Sequence, residues 1–303
     1  MSHLAESNQS EGKVTLSFLQ AAKDHHKKLV MLTAYDYPTA RLADEAGVDM
    51  ILVGDSLANT ALGYENTLPV TIDEMLVAAR AVRRGVRRAM IVADLPFGTF
   101  QAGSDEAMRA ALRFIKEGAA EAIKLEGGRQ RLSLVRQMVD NGIPVMGHIG
   151  LTPQSVLQMD GFKLQGKTLS AARRILEDAS ALEAAGAFSI VLEVIPPPLA
   201  KAISSRLRIP TIGIGAGPDT DGQVLVMNDL LGLGFGKSAK FVRKYADLRS
   251  TISEAISQFA VDVREGSYPS AAETYTVPVE VARQLEHLNT VDDDEHGYVI
   301  FAE

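Results

Sequence analysis

Residues 89–94, Ala-Met-Ile-Val-Ala-Asp, and residues 122–126, Ala-Ile-Lys-Leu-Glu, are short apolar runs that each end on an ionisable residue. Three more segments have the same form: Met50-Ile-Leu-Val-Gly-Asp55, Pro144-Val-Met-Gly-His148 and Ser189-Ile-Val-Leu-Glu193. A run of this length with turn residues nearby fits a parallel strand buried on both faces. An ionisable group at its end costs free energy unless it is solvated, paired or bound to a metal. Five such ends, all on the carboxyl side, point to a parallel sheet with one rim given over to chemistry.

Working outward, eight candidate strands fall near 28–34, 49–53, 88–93, 121–126, 143–148, 188–193, 209–214 and 223–228. Helix-like periodicity fills the gaps, as in Ile72–Val82 and Asp105–Ile115; Ser104 is the expected N-cap of the second, with Asp105 and Glu106 in its first turn. Strand and helix in alternation mean a parallel sheet with crossover helices. Eight units of this size predict an α/β fold of the closed (β/α)8 TIM barrel type, with an open doubly wound sheet as the alternative. The reading divides the chain into a polar tail (1–13), one barrel domain (14–268) and a C-terminal extension (269–303). Val14–Lys27 is amphipathic and is expected to form a helix plugging the amino-terminal end of the barrel. In the extension a helix is predicted over 279–288, and the acidic run Asp292–Glu295 reads as solvated tail.

Composition narrows the function. The 303 residues are 46% hydrophobic and 23% charged, ordinary for a globular chain. A net charge of -7 argues against non-specific nucleic-acid binding. The basic cluster Arg83, Arg84, Arg87 and Arg88 reads as a solvated helix end. With no cysteine, disulfides, thiolate nucleophiles and thiolate metal sites are all excluded. The polar first twelve residues lack the apolar stretch of a secretory signal, and no window is long and apolar enough to span a membrane. A cytoplasmic protein acting on small molecules, with no membrane or nucleic-acid partner, is the expectation.

The strand ends carry the candidate chemistry. Asp55, Asp94 and Glu126 close three successive strands, where their oxygens can converge. Oxygen ligands without a His pair or cysteine favour Mg²⁺ over zinc, and a 2-oxo acid would be a natural bidentate partner for that ion. Taken singly, Asp55 or Asp94 could equally cap a following helix. Lys124 and Glu126 are two residues apart on one strand and so share a face. A lysine inside a barrel needs an anion, either Glu126 or a substrate carboxylate. Ser56 opens the loop after Asp55, where its hydroxyl could donate to a carboxylate. His148 is the one histidine of six that ends a core strand; it is either a satisfied structural donor or a site residue. Glu193 has apolar company in Ile190–Leu192 and Val194–Pro198, surroundings that suit a proton acceptor, with pairing to a rim cation as the alternative. Gly213-Ile-Gly-Ala-Gly217 lacks the spacing of a dinucleotide fingerprint, and its glycines fit a tight turn or close backbone approach.

Several blocks together then resemble the ketopantoate hydroxymethyltransferase family: Val53-Gly-Asp-Ser-Leu57, Thr67-Leu-Pro-Val-Thr71, Ala93-Asp-Leu-Pro-Phe97, Lys124-Leu-Glu-Gly-Gly128, Gly147-His-Ile-Gly-Leu-Thr-Pro-Gln-Ser155, Ile212–Gly217 and Thr220-Asp-Gly-Gln223. The likeness covers roughly residues 14–270 in order. It departs from the common pattern at Ala58, where a glycine is frequent, and at Asp160-Gly-Phe-Lys163. The tail after 270 is longer than in shorter members.

The resemblance implies a (β/α)8 enzyme of pantothenate and coenzyme A biosynthesis. Such enzymes move a one-carbon unit from 5,10-methylenetetrahydrofolate to 3-methyl-2-oxobutanoate, giving 2-dehydropantoate. By the same resemblance Asp55 and Asp94 hold Mg²⁺ with Glu126 as a further ligand, direct or through water. Asp55, Ser56, Asp94 and Lys124 contact substrate, Glu193 is the catalytic base, and the assembly is a homo-oligomer, commonly a decamer. His148 is expected to hydrogen-bond substrate or orient its neighbours. The rivals are a lyase of the isocitrate lyase and phosphoenolpyruvate mutase type, against which the missing cysteine counts, and a silent barrel, against which the retained acids count.

Overall fold

The computed structural model describes residues 12–158, 161, 163–236 and 238–290, with the side chains of 288–290 left out. The acidic run 292–295 and most of the polar tail lie outside the described residues. In chain order the elements run α1 (Leu16–Asp24), β1 (Leu29–Thr33), α2 (Tyr37–Glu45), β2 (Met50–Val53), α3 (Leu57–Thr60), α4 (Ile72–Gly85), β3 (Met90–Asp94), α5 (Ser104–Lys116), β4 (Ala122–Glu126) and α6 (Leu132–Asp140). They continue with β5 (Val145–Gly150), α7 (Leu169–Ala184), β6 (Ser189–Glu193), α8 (Pro197–Arg206), β7 (Thr211–Ile214), β8 (Gly222–Leu225), α9 (Met227–Leu230), α10 (Leu248–Glu265) and α11 (Val279–Thr290). The eight strands are parallel and pair in sequence order, β8 returning to β1, so the barrel closes as expected.

Local sequence accounts for the helices that wrap it. Thr71 and Glu74 form a reciprocal capping box at the start of α4, and Asp36 caps α2 by accepting the Thr39 N–H. The expected cap at Ser104 is corrected: Gly103 holds the N-cap position at φ 141°, a conformation that favours glycine, and Ser104 is the first helical residue. Arg83 and Arg84 do end α4 at the surface. Arg88 does not follow the solvated-face reading; it pairs with Asp49 at 3.2 Å and lies over the Phe18 ring.

Two apolar layers hold the barrel. One lies between strands and helices, with Ile51, Val53, Ile91, Ile123, Val145 and Leu192 among its buried members. The other fills the interior from alternate positions of the strands: Met31, Met50, Met90, Val92, Ala122, Met146 and Val191. Helix α1 completes this inner layer by burying Leu19 and Ala22, preceded by Val14. Its segment is tied to the residues that precede strands: Val14 N–H donates to the Arg88 carbonyl, Lys13 pairs with Glu121, and Lys23 pairs with Asp221. The helix therefore closes the amino-terminal mouth, as its amphipathic pattern suggested.

The chain divides into two compact units at 247/248, whereas the sequence reading carried the barrel domain to 268. In the second unit α10 buries none of its side chains. Within this second unit Phe259 and Tyr268 meet edge to face.

Candidate active site

Above the methionines the same inward positions turn ionic. Asp94 on β3 is in register with Lys124 on β4, and Glu126 with His148 on β5. All four are buried, and Lys124 is the only buried Lys or Arg among the described residues. Its ammonium lies 2.7 Å from Asp94 Oδ2. The anion paired with Lys124 is thus Asp94 across the ladder, where the sequence reading offered Glu126 on its own strand or a substrate carboxylate. Burial works against the lysine's charge, but Asp94, Glu126 and Asp55 together hold its pKa above the ordinary value. For Asp94 burial dominates, and its carboxyl is pushed up to about 7 against the pull of Lys124. Burial, reinforced by Asp55, also raises Glu126 well above the usual carboxylate range.

His148 sits between these groups and Glu193. Its Nδ1 is 3.3 Å from Lys124 Nζ and 3.6 Å from Glu126 Oε1. An ammonium can only donate, so Nδ1 accepts and the proton of the neutral ring belongs on Nε2. Burial, then Lys124, keeps the imidazole pKa below its ordinary value. Nε2 approaches Glu193 Oε2 at 3.1 Å but off the line of a hydrogen bond, leaving it without a satisfied partner. Glu193 is therefore not enclosed by apolar groups alone, since an imidazole faces its carboxylate.

Backbone geometry fixes that carboxylate. Gly150 ends β5 at φ 97°, and a Cβ there would stand 2.2 Å from the Glu193 carbonyl oxygen, which accepts the Leu151 N–H. Val194, next to Glu193, has φ 47°, a costly conformation for a β-branched residue. Of the segment Gly213–Gly217, Gly213 and Ile214 end β7 and the chain turns after them; Gly217 lies at φ 85°, and a Cβ there would meet Pro197 at 2.7 Å, a close backbone approach of the kind expected.

Asp55 and Ser56 follow β2. The Asp55 N–H donates to Asp94 Oδ2 at 3.4 Å, and Ser56 Oγ hydrogen-bonds Tyr35 at 2.8 Å. Ser56 is the N-cap of α3 but makes no side-chain cap bond, and neither aspartate acts as a helix cap. One residue passed over in the sequence organises the set. Buried Gln154 donates from its side-chain amide to Asp55 Oδ2 at 2.9 Å and to the Leu95 carbonyl, while its backbone N–H donates to Glu126 Oε2 at 3.0 Å. It lies in a 3-10 turn with no periodicity to flag it; its place after Pro153 in the family-like block Gly147–Ser155 is the signal that the sequence offers.

The donor set suits a divalent cation. Asp55, Asp94, Glu126 and Glu193 face a cavity of about 850 Å³ together with Lys124 and His148, so negative charge is in excess. Asp94 Oδ1 and Glu126 Oε1 are buried with no hydrogen-bond partner. These are hard oxygen donors, the kind Mg²⁺ prefers. Among the described residues no three His, Asp or Glu side chains converge into a complete metal cluster. A two-carboxylate site finished by waters and substrate oxygens needs no third.

A closed parallel barrel with its ionisable groups gathered at the carboxyl rim is the architecture of an enzyme. The ketopantoate hydroxymethyltransferase family model matches residues 13–271. A 3-methyl-2-oxobutanoate hydroxymethyltransferase of Koribacter versatilis (strain Ellin345) is 56% identical over 274 residues, 90% of this chain and 93% of its own. Its counterpart in Syntrophus aciditrophicus (strain SB) is 55% identical over 87% of this chain and 97% of its own. The chain belongs to the ketopantoate hydroxymethyltransferase family and is a transferase. Solved structures at lower identity share the fold alone. A phosphonopyruvate hydrolase complexed with oxalate and Mg²⁺ has TM-score 0.55 at 16% identity, covering 92% of this chain and 98% of that one. A 2,3-dimethylmalate lyase has TM-score 0.52 at 15% identity, covering 90% and 98%. No helix among the described residues is long and apolar enough to cross a membrane.

Proposed function

We propose that the enzyme transfers a one-carbon unit from 5,10-methylenetetrahydrofolate to 3-methyl-2-oxobutanoate, giving 2-dehydropantoate for pantothenate and coenzyme A synthesis. The observation that carries this reading is Glu193: it faces the same cavity as the buried Asp94–Lys124 pair, with His148 at its side. Asp55 and Asp94 would hold Mg²⁺, with Glu126, oriented by Gln154, as a further ligand. The ion would supply positive charge to a chelating 2-oxo acid as its keto oxygen gains charge.

The chain's own residues supply the rest. Lys124 offers its ammonium to the substrate carboxylate. Water adds to the donor's methylene carbon, and its two protons go to the two folate nitrogens as both C–N bonds break, so tetrahydrofolate is released and the carbon is left at the formaldehyde level. Glu193 takes the proton from C3, the C3 electron pair forms the new bond to that carbon, and the proton held by Glu193 goes to its oxygen, which becomes the hydroxyl. His148 donates from Nε2 toward Glu193 or the substrate. Ser56, held by Tyr35, places a hydroxyl beside Asp55. The enzyme works in the cytoplasm as a homo-oligomer on this reading, with the decamer of the family as the first arrangement to test by light scattering.

The test is deuterium exchange at C3 of 3-methyl-2-oxobutanoate, followed by proton NMR with and without Mg²⁺ and tetrahydrofolate. Mg²⁺-dependent loss of the C3 proton signal is the expected outcome. Folded enzyme that exchanges nothing under any of these conditions removes the proposed substrate.

A further inference from the structure

The cavity at the barrel mouth is much larger than a short branched oxo acid requires. Its volume of about 850 Å³ lies in the range that encloses drug-sized ligands. The ionic groups occupy its inner end. Its outer part is built from the segment that follows β8, and that segment is firmly anchored. The Met227 N–H donates to Thr33 Oγ1 at 3.0 Å, and Asn228 Nδ2 donates to the Thr60 carbonyl at 2.9 Å. Asp229, next in the chain, lines the cavity. Its carboxylate has no hydrogen bond or close ion pair among the described residues; Lys244 attracts it from a longer range. Phe241 closes another part of the wall, its ring packed so near Gly215 that a Cβ there would stand 2.8 Å from a ring carbon. Lys240 also lines the cavity.

We propose that this outer part seats the one-carbon donor, with Asp229 accepting paired hydrogen bonds from the N3–H and 2-amino group of its 2-amino-4-oxopyrimidine ring. The inference rests on the donor assigned under the proposed function and locates it. A carboxylate with both oxygens unspent matches a planar edge carrying two adjacent N–H donors. The Phe241 ring offers a flat apolar partner to the heterocycle, and Lys240 offers a cation to the donor's acidic tail. The anchored turn holds Asp229 in place before the ligand arrives, which lowers the cost of ordering. A cation site is a poorer fit, because Asp229 has no second acid beside it in the outer wall among the described residues.

The experiment compares tetrahydrofolate with an analogue carrying methyl in place of the 2-amino group, binding each to the Mg²⁺-loaded enzyme by calorimetry. Wild type should bind the analogue about 10–100-fold more weakly, and D229N should discriminate by less than about threefold. In D229N the KM for the methylene donor should rise about 10–100-fold, with the KM for the oxo acid within about twofold of wild type. Equal affinity of wild type for the two folates overturns the proposal, and needs no variant that folds. Full discrimination retained in D229N overturns it as well. A wild type that forms product yet fails these criteria removes only the subsite, whereas one that forms no product and exchanges no C3 proton removes the reaction itself.

Discussion

Glu193→Gln is expected to lower turnover by about 10²–10⁴-fold, the worth of a positioned general base. The substitution keeps the shape of the side chain and removes its ability to take a proton at neutral pH. Glu193 is part-buried, and its backbone is pinned by the Gly150–Leu151 contact, so the exchange leaves the strand end where it is. C3 deuterium exchange should fall in parallel with product formation, because both need the same proton to leave. Turnover within about threefold of wild type would sink the assignment of the base.

Lys124→Met is the second large effect. Methionine nearly fills the lysine's volume, but Asp94 then stays buried without its cation. Breaking a buried pair from one side costs about 3–5 kcal/mol, and urea denaturation with a chelator present reads it directly. The cost depends on pH. Asp94 already has its folded pKa raised to about 7, above the ordinary carboxyl value of about 4 in the unfolded chain. A raised acid binds its proton more tightly when folded, so stability falls as pH rises through that window and the full cost applies above it. Without Lys124 the carboxyl moves higher still. The variant's deficit should therefore be larger at pH 8 than at pH 5. A deficit under about 1 kcal/mol at pH 8 would mean that the pair is not what holds this deck of the barrel together.

Much of this molecule is legible in its sequence because burial on both strand faces writes itself as apolar runs. Met50–Val53, Met90–Asp94 and Ala122–Glu126 fall within a residue or two of their expected bounds. The same double burial hides which face points inward, since apolar residues occupy both. Only where charge interrupts a strand, as at Lys124 and Glu126, does the interior face declare itself. Partners across the ladder are harder to read. Lys124 meets Asp94 through the register of β3 on β4, and register is set by closure of the whole barrel rather than by any local pattern. Gln154 and Asp229 lie in short turns after strands, where no periodicity singles out a side chain. The helical pattern of α10 is likewise legible, whereas the exposure of its side chains is not written in that pattern.

Helix α1 gives the barrel a floor, and that floor has a kinetic meaning. With Leu19 and Ala22 set against Met31, Met50 and Met90, the barrel is closed at its amino-terminal mouth, and the cavity is a well approached from the carboxyl rim. Two reactants that meet in such a well form a queue. On the proposed reaction the small oxo acid goes down first and the bulky folate lies over it, so addition is compulsory and ordered. Release runs in reverse, tetrahydrofolate ahead of the lengthened acid, a sequence that product-inhibition patterns report. The order of events in time would then be set by a helix that touches neither reactant.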